Sequence, residues 1–194
     1  MGALQRLGLS DDVVTQPQAS VDQQQTADAF GYKWAQVDSY GSPEMMDFTR
    51  EWLIEKYCGG NPAVLEGWLA GAPKIILDAG CGSGYSAICF FGDLLHDHDY
   101  LGLDISDAVA VANAAFQDRG LPGDFLQADM MKAPVPAGSV DLILAEGTLH
   151  HTDDTGDAIA ALAKKLRPDG RFLFYIYARR ARSVNMPTTW FVRR

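Results

Sequence analysis

The sequence predicts an α/β protein built on a doubly wound, mostly parallel sheet, and three observations carry that prediction. From Lys74 onward, short apolar runs alternate with helical stretches of about 10 to 15 residues. One run, Ile75-Ile76-Leu77-Asp78, passes straight into a glycine-rich turn over residues 79–84. The chain has 194 residues, 47% of them hydrophobic and 21% charged, which suits one domain with a sizeable core, or one domain and an appendage.

Residues 1–29 are polar and Gln-rich (Gln16-Pro17-Gln18, Gln23-Gln24-Gln25) and read as a flexible arm that carries little stability. Residues 30–72 read as a helical lid segment. In it Phe30, Tyr32 and Trp34 either close over a ligand or staple the N-terminal helices to the sheet. Pro43 opens a helix in which Met46, Phe48, Trp52, Leu53 and Tyr57 recur at helical spacing. Gly59-Gly60-Asn61-Pro62 stops it, and a short helix over 63–70 follows before Gly71-Ala72-Pro73. Residues 73–178 form the ligand-binding domain. Its strands are expected over 74–78, 100–104, 124–128, 140–145 and 171–177, and its helices over 85–95, 107–119 and 155–166. Strands alternating with helices imply parallel pairing through right-handed crossovers. Residues 179–194 read as a basic tail or as the start of a further C-terminal portion.

Composition excludes several classes. The apolar runs fall far short of the roughly 20 residues that a membrane helix needs. The first ten residues lack the apolar core of a secretory signal, so the expected location is cytoplasmic. Cys58, Cys81 and Cys89 are odd in number and contain no C-x-x-C pair, which argues against disulfides and thiolate zinc sites. A net charge of -9 repels a phosphate backbone, and the cations Arg179, Arg180, Arg182, Arg193 and Arg194 read better as a solvated edge than as a nucleic-acid patch.

The spacing Gly80-x-Gly82-x-Gly84 decides between ligands. A dinucleotide fingerprint would place its third glycine at Tyr85, and a phosphate loop would need a lysine that is absent here. Neither phosphate reading fits.

Asp78-x-Gly80-x-Gly82-x-Gly84 instead resembles the first motif of the class I S-adenosylmethionine-dependent methyltransferases. The resemblance continues in order through Leu101-Gly102-Leu103-Asp104-Ile105-Ser106, Ala128-Asp129-Met130, and the segment from Val140 to His151. It ends at Leu166-Arg167-Pro168-Asp169-Gly170-Arg171, where Asp169 departs from the more usual glycine. It implies a Rossmann-like sheet of order 3-2-1-4-5, S-adenosyl-L-methionine as cofactor, and in-line methyl transfer to a small-molecule acceptor. By the same resemblance Asp78, Ala79, Gly80, Cys81, Gly82, Gly84 and Glu146 bind the cofactor, Asp104 and Ile105 at its ribose and Asp129 and Met130 at its adenine.

Each acid also has a local reading: Asp78 as a turn cap, Asp104 as a helix cap (although Ser106 or Asp107 fills that place better) and Asp129 as loop solvation. His150 and His151 follow the fourth strand, where an imidazole either accepts a proton near neutral pH or shapes the loop. Glu146, His150, His151, Asp153 and Asp154 lack the spacing of a metal site, and no metal is expected.

Family sheets have seven strands and this sequence supplies five, so the fifth is expected at an edge. Phe172-Leu173-Phe174-Tyr175-Ile176-Tyr177 is apolar on both faces, and such an edge promotes self-association unless the tail or another subunit covers it. A non-catalytic cofactor-binding module and an NAD(P)-dependent oxidoreductase are the alternatives.

Overall fold

The structure, a computed structural model, describes residues 2–9 and 42–177, and the backbone of 189–193. Phe30, Tyr32, Trp34 and most of the basic tail lie outside the described residues.

Ser42 opens the first long helix by accepting from the Met45 amide, with Pro43 at the first helical position. This helix, α2 (Pro43–Cys58), is followed by α3 (Pro62–Leu69) and β1 (Ile75–Ala79). Then come α4 (Tyr85–Phe91), β2 (Asp99–Asp104), α5 (Ala108–Asp118), β3 (Asp124–Gln127), β4 (Val140–Glu146), α6 (Thr155–Ala163), β5 (Leu166–Tyr175) and β6 (Thr189–Arg193). Before all of these stands a single helical turn, α1 (Ala3–Arg6). The helix expected over 85–95 is shorter because Gly92, at φ 51°, breaks it into a 3-10 turn, Gly92–Asp97.

The sheet order is β3-β2-β1-β4-β5-β6. The first five strands are parallel, in the expected order 3-2-1-4-5. Alternation along the buried strands sends Ile75, Leu77 and Ala79 to a core shared with α1 and α6, and Ile76 to one shared with α2, α3, α4 and α5. Between Leu166, which pairs with Val140, and Arg171, which pairs with Leu142, the register shifts, so the turn Arg167 to Gly170 bulges out of the ladder.

Two expectations are corrected. β5 is not the edge: β6 pairs with it antiparallel, from Arg171 opposite Arg193 to Tyr175 opposite Thr189, and satisfies the backbone groups a free edge would expose. The tail thus covers the fifth strand, one of the two coverings that the sequence left open. Nor do residues 2–9 behave as a polar arm. Ala3, Leu4 and Leu7 are buried in the sheet core, and the Leu4 amide donates to Asp124 Oδ2 at 2.9 Å. Arg6 donates to Pro73 O at 3.2 Å and pairs with Asp99. The physical reason is the short apolar stripe Leu4, Leu7, Leu9, which a reading weighted by the glutamines that follow overlooks.

Candidate active site

Three parallel strands, β1, β2 and β4, end at one cleft. The turn after β1 is pinned to β2, since the amides of Gly80 and Cys81 both donate to Leu103 O, at 2.7 and 2.8 Å. Gly80 sits at φ 80°, and a Cβ there would lie 2.6 Å from Thr148 Cβ, so the turn needs a residue without a side chain. Gly84, at φ 75°, precedes α4 and packs under the Phe116 ring.

Asp104 ends β2. Its Oδ2 accepts from the Gly82 amide at 2.9 Å, and its Oδ1 from the Ser106 amide and hydroxyl at 2.9 and 2.7 Å. It is not a helix cap: Asp107 precedes α5, and the amide of Ala108 bonds to Ser106 Oγ. Asp78 is 2% exposed and accepts from the Tyr100 hydroxyl at 2.8 Å. Burial pushes its carboxyl up to about 7 against that hydrogen bond, and the charges of Asp104 and Glu146 add to the rise. Asp129 is buried after β3, its Oδ1 accepting from the Met131 amide at 2.9 Å.

Glu146 ends β4 and is held from α2. Lys56 Nζ lies 2.5 Å from its Oε1, and the Tyr57 hydroxyl donates to its Oε2. The Lys56 ammonium also lies 3.1 Å from the Trp52 ring centroid and 4.0 Å from that of Tyr175. Burial lowers its pKa while the Glu146 charge opposes the fall.

The cleft therefore collects Asp78, Gly80, Cys81, Gly82, Asp104, Ile105, Asp129, Met130, Glu146 and His151 from the sequence-predicted set. Ala79, Gly84 and His150 do not line it. Ala79 is fully buried in the sheet core. His150 turns away: its ring meets Tyr177 edge-on at 4.7 Å, and its Nδ1 is buried without a hydrogen-bond partner among the described residues. Burial and neighbouring His151 both lower its pKa.

The cleft wall also contains Ser83, Tyr85, Ser86, Thr148 and Thr152, which sequence reasoning passed over. Lys56 and Tyr57 were likewise missed as partners of the site. The available signal was a lysine one helical turn after Trp52 in an aromatic helix.

Residues 77–174 match the family model described as a methyltransferase domain. The chain belongs to the class I S-adenosylmethionine-dependent methyltransferases. An uncharacterized methyltransferase of Bacillus subtilis, YcgJ, is 32% identical over 100 residues, which cover 50% of this chain and 38% of the relative. The solved YcgJ structure superposes with a TM-score of 0.52 at 28% identity, covering 59% of this chain and 49% of that one. The 27-O-demethylrifamycin SV methyltransferase of Amycolatopsis mediterranei is 37% identical over 103 residues, 50% of this chain and 36% of the relative. The matches thus span under half the length of these curated relatives.

The residues present fit S-adenosylmethionine. Asp104 and Asp129 are ordered carboxylates with acceptor capacity, as hydroxyl and amino groups require. Ser83 Oγ, in the cleft wall, is buried without a hydrogen-bond partner among the described residues, a polar group that asks for a ligand.

Proposed function

We propose that the protein transfers a methyl group from S-adenosyl-L-methionine to a small-molecule acceptor. The observation that carries this reading is the meeting of Asp78, Asp104, Asp129 and Glu146 with the Ser83 hydroxyl, unpartnered among the described residues, in one cleft at the carboxyl ends of the strands. The relative named for methylating 27-O-demethylrifamycin SV supports a small molecule as acceptor.

In this reading Asp104 accepts from the ribose hydroxyls, and Asp129 accepts from the adenine amino group while Met130 packs against the ring. Asp78 and Glu146 face the cationic amino-acid end, and the Ser83 hydroxyl hydrogen-bonds there. The bound cofactor supplies a methyl carbon activated by sulfonium, so the protein's main work is alignment. His151, which lines the cleft, accepts the proton of a hydroxyl or amine nucleophile, and His150 supports the loop beneath it.

Calorimetry with S-adenosylhomocysteine and NAD tests the cofactor, and mass spectrometry of small hydroxyl- and amine-bearing compounds incubated with S-adenosylmethionine tests transfer. Binding of the sulfur nucleoside alone and a gain of one methyl are expected. Saturable NAD binding without a response to S-adenosylhomocysteine would overturn the reading. Cofactor binding without transfer to any acceptor would favour a non-catalytic module.

A further inference from the structure

We propose that Lys56 and Tyr57 are positioning residues that clamp the Glu146 carboxylate in the cleft wall, one donor on each oxygen. The proposal rests on the cofactor reading above and names the residues that hold the anion facing the cofactor's cationic end. Both lie on α2, outside the 77–174 segment that carries the family match.

The Lys56 side chain is 4% exposed and that of Glu146 10%. The ammonium is enclosed by the Trp52 and Tyr175 rings, with Tyr57 at 5.4 Å, and its ion-pair partner is Glu146. A buried ion pair is a poor device for stability, because apolar residues of equal volume commonly serve as well. What it does supply is a carboxylate whose charge and orientation are both held.

That matters here because Glu146 stands among other acids and phenols. Asp78 on β1, Asp104 and Tyr100 on β2, and Tyr175 on β5 face the same region, and the Glu146 charge acts on Asp78, Tyr57 and Tyr175. Lys56 holds one oxygen of Glu146 and Tyr57 the other, while Glu146 lines the cleft.

The test combines two measurements on the full chain. In 15N-lysine NMR titrations without ligand, Lys56 should titrate below the ordinary lysine range and fall further in Glu146→Gln, which removes the charge supporting its protonation. In calorimetry, Lys56→Met should weaken S-adenosylhomocysteine binding by roughly tenfold, Lys56→Arg should restore most of it, and Lys56→Met added to Glu146→Gln should have no further effect.

A Lys56 that only supports the fold would lower the melting temperature of Lys56→Met and leave the affinity of the folded protein unchanged, and that result overturns the proposal. Should Lys56→Met not fold, Tyr57→Phe carries the same cycle: an affinity loss that vanishes in the Glu146→Gln background supports the clamp, and one that persists overturns it. A wild-type chain that binds no S-adenosylhomocysteine overturns the cofactor reading. An unchanged Lys56 titration in Glu146→Gln overturns the clamp itself.

Discussion

Asp78 is the residue whose burial has the widest consequence. Its folded-state carboxyl is raised from 3.8 to about 7, so between those values the folded chain binds a proton that the unfolded chain has lost. Stability from this group is therefore complete below about pH 4 and is lost as pH rises through 7. Asp78→Asn should flatten that part of the pH profile and raise the melting temperature at pH 8, by up to about 4 kcal/mol in stability. An unchanged melting curve from pH 4 to 8 would contradict it. A cationic ligand beside Asp78 should also expel its proton, so calorimetry near pH 7 in buffers of different ionisation enthalpy should show proton release.

Asp104 has a different task, being already held by Gly82 and Ser106. Asp104→Ala should weaken S-adenosylhomocysteine binding by about 1.5 to 3 kcal/mol, because a charge-assisted acceptor is lost. His150→Ala should leave affinity unchanged, since that ring lies outside the cleft. Both acids were legible in the sequence because Asp78-x-Gly80-x-Gly82-x-Gly84 and Leu101-Gly102-Leu103-Asp104 resemble the family's motifs. The difference between His150 and His151 was not, since adjacent residues in a 3-10 turn point in directions that only the Tyr177 contact reveals.

Among elements, the β1–turn–α4 unit is the most constrained. Gly80→Ala places a Cβ against Thr148 and forces a left-handed φ on alanine, which should cost about 1 to 3 kcal/mol. Adding Thr148→Gly should recover only the steric part, as read by thermal melting; full recovery would show that the backbone conformation is unstrained for alanine. The strands and longer helices follow from period-2 and period-3.6 patterns repeated over enough residues to register. α1 has one turn, too short for either period, yet it buries Leu4. Leu4→Ala should cost about 2 to 5 kcal/mol, a loss that no flexible arm would show.

On the scale of the whole molecule, the question is what closes the sheet beyond β5. Phe172 and Phe174 pack into one core and Leu173 into the other, so this strand has the double-sided burial of an interior strand. The sixth strand gives it interior pairing as well. Deletion of residues 189–194 should leave the β5 backbone unpaired and raise the apparent mass in light scattering, whereas the intact chain should not associate through that edge. Equal masses for the two would show that β6 does not protect it.

The sequence by itself determined the alternation of strands and helices, and the family resemblance carried by its motifs implied the strand order of the parallel core and singled out Asp78, Asp104, Asp129 and Glu146. The alternation depends on local periodicity, and the motifs are short segments that a sequence displays without any long-range contact. The antiparallel return of β6 to β5, the docking of Leu4 under the sheet and the hold of Lys56 and Tyr57 on Glu146 were decided only by tertiary structure. These are pairings between segments far apart in the chain. Glu146 and Lys56 stand 90 residues apart, and no local pattern records which buried cation a distant carboxylate will meet.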